Sequence, residues 1–229
     1  MSIIMDFTTT AVVRPQILDR TLGSFSKNLK DINLKECRLV INIDPLPPNR
    51  RKHVIQVARK YFGEVKYNLP KQANFTAAYN WIWSNAKTEY IFNLEDDWEL
   101  IKPISIKKIL YFFEKNNKLL QVIIRAYKYT YTTCALSPSV LHRRFYSAVG
   151  GNLKIDINPE IQLRGNKFGI QMPSRSSKTI SHKGSIIVYP EYIKSVVLRD
   201  IGRQWIRKSK YRKTGSGRKG RFITWETKK

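Results

Sequence analysis

The chain contains the run Tyr90-Ile-Phe-Asn-Leu-Glu95-Asp96-Asp97-Trp98, an apolar strand that delivers three carboxylates into a loop. Carboxylates held in one place repel each other and raise each other's pKa, so a positive partner is expected beside them. Mg²⁺ or Mn²⁺ meets this need, because both prefer carboxylates together with the phosphates of a substrate. The same residues would also suit the first turn of a helix, at the positive end of its dipole. The run therefore predicts a metal site or an acidic helix start.

Strand-like and helix-like stretches alternate from the amino terminus up to this run. The predicted strands are 6–13, 38–43, 65–69 and 90–94, and the predicted helices between them are 16–29, 50–62 and 75–86. Such alternation is typical of a mostly parallel sheet with helices on both faces. We therefore predict an α/β, Rossmann-like fold.

Polar residues follow the predicted strands at the points where they end. In open parallel sheets, ligands bind in the crevice outside the carboxyl ends of the strands. The residues expected to line this crevice are Thr10, Arg14, Asp44, Lys71, Glu95, Asp96 and Asp97.

The second half of the sequence is less regular. Helix is expected over 104–115 and strand over 119–126 and 186–189, with a turn and then a helix over 137–149. Residues 193–209 begin as an amphipathic helix that becomes basic. The Lys, Arg, Gly and Ser segment 211–221 is expected to be mobile unless a partner orders it.

The charge of the chain is its most unusual property. Its 229 residues suit one large domain, or one domain with an extension. Lys and Arg number 42 against 17 Asp and Glu, which gives a net charge of +25. Such a protein attracts polyanions, so nucleic acid is the first expected partner and an anionic membrane surface the second.

Several features indicate a location in the cytoplasm, which would be the host cytoplasm if the protein is viral. Cys37 and Cys134 stand far apart, so no zinc spacing or disulfide framework is implied. Residues 1–10 lack the pattern of a signal peptide, and no apolar run approaches the ~20 residues that span a bilayer.

Two stretches before the acidic run resemble the donor-site half of metal-dependent glycosyltransferases of the GT-A fold, of the family-2-like kind. One is Lys71-Gln-Ala-Asn74-Phe-Thr-Ala77-Ala78-Tyr-Asn80, and the other is Thr8-Thr9-Thr10-Ala-Val-Val-Arg14-Pro15. The resemblance covers about residues 6–100 and, more loosely, 136–184. One departure is Glu95, which replaces the first aspartate of the family's acidic motif and remains a competent oxygen ligand.

This resemblance implies a role for each matching residue. Asp97 would bind Mn²⁺ or Mg²⁺ with support from Glu95, and Asp96 would face the ribose or sugar of a UDP-sugar donor. His182 matches a late histidine that closes over the metal or diphosphate in the family, although a surface histidine beside Lys183 is an equal alternative. The residues implied to hold the nucleotide or line the donor pocket are Thr10, Arg14, Asp44, Lys71 and Asn80.

An inverting transferase also needs a base for the acceptor hydroxyl. Glu160 and Asp156 are the carboxylates available in the second half, and we favour Glu160 because Pro159-Glu160 suits the start of a short helix. A carboxylate that only stabilises that helix start remains the alternative, and a retaining enzyme would need neither residue as a base.

The carboxyl-terminal residues combine many cations with interleaved aromatic side chains. Cations that neutralise phosphates, with aromatic rings that stack on bases, form a nucleic-acid footprint. We therefore divide the chain into a transferase domain, 1–198, with donor half 1–100 and acceptor half 101–198, and a nucleic-acid-binding extension, 199–229. The predicted contacts are Arg203, Trp205, Arg207, Lys208, Lys210, Arg212 and Lys213.

A small domain of this kind with a basic tail resembles the DNA-modifying sugar transferases of bacterial viruses. The resemblance implies transfer of a sugar from a UDP-sugar to a hydroxymethylated pyrimidine in DNA. A second hypothesis is a transferase of cell-surface polysaccharide or lipopolysaccharide, whose basic residues would hold an anionic membrane. A third is a non-catalytic DNA-binding protein with a degenerate donor site. The sequence leaves open the sugar, the anomeric outcome and the oligomeric state.

Overall fold

The computed structural model describes residues 3–45, 50–124, 136–163, 185–189, 196–208, 211–214 and 224–227. Within these ranges, no helix combines the length and apolar character that crossing a membrane requires. The strands are β1 (Asp6–Ala11), β2 (Leu29–Lys30), β3 (Arg38–Ile43), β4 (Glu64–Asn68), β5 (Tyr90–Glu95), β6 (Trp98–Leu100), β7 (Ile104–Ser105), β8 (Gln121–Ile124), β9 (Ser139–His142), β10 (Ile186–Tyr189), β11 (Leu198–Asp200), β12 (Tyr211–Thr214) and β13 (Thr224–Thr227). The helices are α1 (Pro15–Asn28), α2 (Arg51–Tyr61), α3 (Phe75–Asn85), α4 (Ile106–Lys115), α5 (Arg144–Ala148), α6 (Pro159–Leu163) and α7 (Gly202–Lys208).

The largest sheet has seven strands in the order β10-β8-β9-β5-β1-β3-β4. Strand β1 pairs in parallel with both β3 and β5, and β3 pairs in parallel with β4. Strand β9 is antiparallel to both of its neighbours, β5 and β8. This mostly parallel sheet confirms the predicted α/β fold.

Alternating side chains of the central strands divide the core into two layers. Along β3, Leu39 and Ile41 pack in the apolar cluster that contains the buried residues of α1, α2 and α4. Val40 lies in the other cluster, with the buried residues of α3 and α5. Successive residues of a strand face opposite sides of a sheet, so helices cover both faces.

Local signals position the helices that flank the acidic run. Helix α1 starts at Pro15, whose fixed φ and missing N–H suit the first helical position. Helix α3 starts after Asn74, whose side chain accepts a hydrogen bond from the Ala77 amide at 2.9 Å. The loop from β1 to α1 and the loop from β4 to α3 both leave the carboxyl ends of parallel strands. Both loops therefore lie at the same edge of the sheet.

The prediction for residues 137–149 was wrong in its first part. Residues Ser139–His142 form strand β9 rather than a turn, and the helix that follows is only α5. Strand β9 is inserted between β5 and β8, so distant strands on both sides provide its hydrogen bonds. Pairing of this kind depends on tertiary context and leaves little local signal.

The prediction of one helix over 193–209 was also wrong. Within the described part of this stretch, strand β11 precedes the shorter helix α7. The Asp200 side chain accepts hydrogen bonds from the amides of Gly202 at 3.0 Å and Arg203 at 3.2 Å. An aspartate in this position satisfies the first amides of a helix, so it separates strand from helix.

Part of the segment expected to be mobile has regular structure. Strand β12 pairs antiparallel with β13, and Lys213 lies opposite Trp225. Threonine and aromatic residues favour such paired strands. The domain boundary predicted after residue 198 falls inside strand β11, which pairs with β6 of the donor half.

Candidate active site

The carboxyl ends of β1, β3 and β5 meet at one edge of the sheet, as expected for a ligand crevice. Thr10 of β1 lies opposite Glu95 of β5, and Ala11 lies opposite Ile43 of β3. A cavity of about 110 Å³ opens at this edge. It is lined by Thr10, Ala11, Val12, Arg14, Asp44, Phe75, Glu95, Asp96, Asp97 and Glu160. The structure thus brings together seven of the predicted site residues, namely Thr10, Arg14, Asp44, Glu95, Asp96, Asp97 and Glu160.

Asp96 ties the β1–α1 loop to the end of β5. Its Oδ2 accepts hydrogen bonds from the Val12 amide at 3.2 Å and from Arg14 Nε at 3.3 Å. Its Oδ1 forms an ion pair with Arg14 Nη2, and Thr21 Oγ1 donates to its carbonyl oxygen at 2.9 Å. The predicted contact of Asp96 with a ribose or sugar stays a prediction, because both of its carboxylate oxygens already hold the loop.

Arg14 is the cation that the crowded carboxylates were expected to need. The residue is only 4% exposed, and its Nη2 lies 3.1 Å from Asp97 Oδ2. Burial alone would lower the pKa of Arg14, but the negative charges of Asp96 and Asp97 raise it above its ordinary value. The guanidinium therefore stays charged and offsets part of the negative charge of the acidic run from within the protein.

The acidic residues fit a metal ion that binds together with a substrate. Asp97 is 18% exposed on its side chain and lines the cavity with Glu95, whose Oε2 accepts a hydrogen bond from Trp98 Nε1 at 2.6 Å. In the ranges that the structure describes, no group of three histidine, cysteine, aspartate or glutamate side chains is arranged to hold a metal ion. Mg²⁺ often binds through one or two carboxylates and substrate phosphates, so the oxygen donors fit such an ion. His182, the third predicted ligand, lies outside the described residues.

Asp44 is a buried carboxyl at the end of β3. Its side chain accepts a hydrogen bond from Asn42 Nδ2 at 3.0 Å. Burial raises the pKa of Asp44 from 3.8 to about 7, the Asn42 bond opposes this shift, and the charge of Asp96 adds to it. Near neutral pH this carboxyl is therefore present in both its protonated and its ionised form, and the protonated form can donate a hydrogen bond.

The free energy of unfolding of the native protein is expected to fall as pH rises, because Asp44 loses its proton. Asp44→Asn should not show this fall. The folded carboxyl keeps its proton up to about pH 7, whereas the unfolded chain releases it near 3.8. Its contribution is therefore fully present below pH ~4 and is lost as pH rises through about 7. The difference between the pKa values of the folded and unfolded states corresponds to at most about 4 kcal/mol of unfolding free energy. Urea unfolding from pH 4 to 8 would measure it, and an equal pH dependence in both proteins would contradict the shifted pKa.

Glu160 and Asp156, the two candidate bases, lie in different surroundings. Glu160 belongs to α6 and lines the cavity, whereas Asp156 is exposed and lies outside the lining. The Glu160 amide donates to Asn158 Oδ1 at 2.9 Å, so an amide side chain already serves this helix start. The position of Glu160 supports its selection as the candidate base.

Two predicted donor-pocket residues do not line the cavity. Asn80 Nδ2 donates to the Leu153 carbonyl at 2.8 Å, and its Oδ1 accepts from the Leu153 amide at 2.9 Å. These paired bonds tie α3 to the acceptor half. Lys71 is exposed on the connection before α3. Their predicted contacts with a donor stay predictions.

The sequence reasoning missed three of the lining residues, Ala11, Val12 and Phe75, and Phe75 has the largest side chain of the three. Phe75 lines the cavity from the first position of α3, and its ring meets that of Tyr79 edge-on with a centroid distance of 5.0 Å. The sequence did carry a signal for Phe75, because this aromatic residue directly follows the capping Asn74 on a helix that begins near the strand ends. Phe75 supplies an apolar surface in a cavity whose other side chains are mostly charged.

The residues predicted to contact nucleic acid lie in different surroundings. The ring of Trp205 lies 5.2 Å from Arg14 Cζ, so this side chain belongs to the surroundings of the cavity. Arg203, which pairs with Asp200 at 2.7 Å, is exposed, as are Arg207 and Lys208. Arg212 and Lys213 are part of β12, and Lys210 lies outside the described residues. A nucleic-acid contact for any of them stays a prediction.

Comparison with known sequences does not place the chain in a family. No protein-family model matches it, and no curated protein is significantly similar. Structures are more informative. The crystal structure of S. aureus TarS 1–349 matches with a TM-score of 0.60 and 12% identity, over 87% of this chain and 61% of that chain.

Two further matches were solved with nucleotide sugars. S. aureus TarS 1–349 in complex with UDP-GlcNAc gives a TM-score of 0.55 and 13% identity, over 85% of this chain and 58% of that chain. A mannosyltransferase from Pyrobaculum calidifontis in complex with GDP-Man and Mn²⁺ gives a TM-score of 0.54 and 10% identity, over 80% of this chain and 54% of that chain. The chain thus spans about three fifths of the TarS 1–349 chain. At these identities the likeness concerns architecture alone, and by that measure the chain has the fold of GT-A-type glycosyltransferases.

Proposed function

We propose that this protein is a glycosyltransferase that takes a sugar from a nucleotide-diphosphate donor, with a UDP-sugar as the first candidate. The observation that carries the proposal is the cavity at the ends of β1, β3 and β5. Arg14, Asp44, Asp97 and Glu160 converge there, and these side chains supply a cation, a buried carboxyl and two further carboxylates. The complexes of similar fold with UDP-GlcNAc and GDP-Man support a nucleotide sugar as the ligand.

Each side chain has a distinct part in this reaction. Asp44 would bind the base or ribose, and Arg14 would donate to a diphosphate oxygen. Mn²⁺ or Mg²⁺, held by Asp97 with support from Glu95, would neutralise the charge that develops on the diphosphate as the sugar leaves. If the reaction inverts the anomeric carbon, a Glu160 carboxylate oxygen would accept the proton of the acceptor hydroxyl.

We further propose hydroxymethylated DNA as the acceptor. The net charge of +25 supports a polyanionic acceptor. Exposed Arg203, Arg207 and Lys208 stand on α7, the same helix whose Trp205 reaches Arg14 beside the cavity. A phosphate backbone bound along α7 would therefore lie near the site of sugar transfer.

One observation favours the second candidate, a transferase of cell-surface polysaccharide or lipopolysaccharide. The ring of Trp205 lies against the Arg14 guanidinium, so the described part of α7 offers cations to a ligand but no other aromatic ring for a base. Cations alone suit an anionic membrane surface as well as DNA.

Incubation with Mn²⁺, a panel of UDP-sugars and duplexes of one sequence, with and without hydroxymethylated pyrimidines, tests the proposal. Mass spectrometry of the nucleosides is expected to show a sugar on the hydroxymethylated duplex alone. Donor binding with no sugar on either duplex, together with retention on anionic vesicles, would favour the surface-polymer enzyme. Tight DNA binding without UDP binding would leave a non-catalytic DNA-binding protein.

Replacing Lys210, Arg212 and Lys213 together is expected to make DNA binding less sensitive to salt. Each phosphate contact contributes about −0.9 to the slope of log affinity against log salt on duplex DNA. Three lost contacts would therefore reduce the slope by about 2.7. Fluorescence anisotropy across a salt series measures this change, and UDP binding in the same protein provides the control. An unchanged slope would place the phosphate contacts elsewhere.

A further inference from the structure

The segment from Val197 to Lys208 packs behind two residues that line the cavity, Arg14 and Asp97. Strand β11 pairs with β6, directly after the acidic run. Arg199 Nε donates to Glu99 Oε2 at 2.8 Å, and Arg20 of α1 pairs with the same oxygen at 2.9 Å. One carboxylate therefore joins this segment to helix α1, which begins directly after Arg14.

The segment approaches Asp97 as closely as its backbone permits. The Ile201 amide donates to the Asp97 carbonyl at 2.9 Å. A Cβ atom added to Gly202 would lie 2.0 Å from Asp97 Oδ2 and 2.8 Å from Asp97 Cβ, which is impossible without a shift. Gly202 is thus required by a close approach, and the segment limits the positions that the Asp97 carboxylate can take.

Arg14 has one guanidinium nitrogen to spare. Its Nε and Nη2 bond to Asp96, and Nη2 also bonds to Asp97. Its Nη1 is buried and has no hydrogen-bond partner in the part of the chain that the structure describes. Buried donors nearly always have partners, so a donor left over beside a cavity marks a place for a ligand oxygen. Guanidinium groups match phosphate oxygens in charge and shape.

Trp205 contacts the guanidinium of Arg14 and helps to hold it in place. Its ring lies 5.2 Å from Arg14 Cζ, within the range of a cation–π interaction. An aromatic ring attracts the positive charge of the guanidinium without accepting a hydrogen bond from one particular N–H group. Asp96 and Asp97 fix one side of Arg14, Trp205 lies against the guanidinium, and Nη1 keeps its capacity to donate.

We infer that Trp205 is a positioning residue for Arg14, and that together they form a site for the diphosphate of the donor. This rests on the proposed function for the identity of the ligand, but any inorganic diphosphate should also bind. Nη1 is buried in the free protein, so Arg14 must shift slightly for an anion to bond to it, and the Trp205 ring lies over the same guanidinium. The fluorescence of Trp205 should report that change.

The test measures binding of inorganic pyrophosphate, UDP and GDP by calorimetry in native protein, Trp205→Leu and Trp205→Phe. Loss of the aromatic face is expected to weaken pyrophosphate and UDP binding about five- to thirtyfold in Trp205→Leu. Trp205→Phe keeps an aromatic face and should restore most of the affinity. Trp81→Leu, the same change at a partly buried tryptophan that packs against the core cluster of α3 and α5, is the matched control and should bind normally.

Fluorescence gives a second readout that does not depend on the leucine variant folding. Pyrophosphate should change the tryptophan emission of the native protein, and Trp205→Phe should bind it without that change. Equal affinities in all variants, or a phenylalanine variant as weak as the leucine one, would overturn the inference. Binding of pyrophosphate without UDP or GDP would sustain it and refute the proposed function. Binding of none of the three ligands would refute both.

Discussion

Asp97→Asn is expected to slow sugar transfer on the order of 10²–10³-fold while thermal unfolding changes little. The Asp97 side chain is partly exposed in the cavity, and Asp96 would still pair with Arg14 in the variant, so the larger effect is expected on a ligand rather than on the fold. Asparagine keeps the shape and one oxygen that can accept from Arg14, but it is a poor ligand for a divalent cation. Transfer rates with excess Mn²⁺, and melting curves followed by circular dichroism, measure the two effects.

The neighbouring Asp96→Asn variant is the matched control for this prediction. Asp96 is buried and holds Val12 and Arg14, so its change should lower the unfolding midpoint markedly. The same substitution in adjacent residues would then separate function from folding. Full activity of Asp97→Asn, or of native protein in a chelator, would contradict a metal at Asp97.

Arg14→Met is expected to reduce the free energy of unfolding by about 3–5 kcal/mol, because it leaves Asp96 buried without its counter-ion. It should also remove pyrophosphate binding, since the cation of the cavity is lost. Urea unfolding and calorimetry measure the two effects.

The other end of β1 offers a control with the same chemistry. Arg38 Nε donates to Asp6 Oδ1 at 2.9 Å, and this pair lies at the edge of the sheet opposite the cavity. Burial raises the pKa of Asp6, but the bonds from Arg38 and the Lys87 amide lower it below its ordinary value. Arg38→Met should therefore destabilise the fold yet bind pyrophosphate normally. Loss of binding in both variants would show that Arg14 acts only through stability.

Local patterns were sufficient for the part of the fold that the sequence predicted well. Strands β1, β3, β4 and β5 and helices α1 to α3 have strong periodicity and clear end signals such as Pro15 and Asn74. Because parallel strands end at one edge, these signals also located Asp44, Asp97 and their neighbours. Strand β9 could not be predicted in this way, since its hydrogen bonds come from β5 and β8 on both sides.

The contacts that the sequence did not indicate come from residues that lie far apart in the chain. Trp205 was grouped with nearby cations in the sequence, yet its ring lies on Arg14 near the opposite end of the chain. Asn80 sits on the correct helix, but its amide bonds to Leu153. Only the packing of the second half against the first determines which face of α3 meets the cavity, and it selects Phe75.

The return of the late segment to Asp97 has a consequence for protein synthesis. The residues that line the cavity, together with the Trp205 ring that contacts Arg14, extend from Thr10 to Trp205, so the ribosome must add residue 205 before all of these contacts can form. The first four parallel strands can pair earlier, since their partners are neighbours in sequence order apart from β5. A nascent chain that ends before Ile201 would thus lack the contacts that this segment makes with Asp97, and its acidic run would be more open to water.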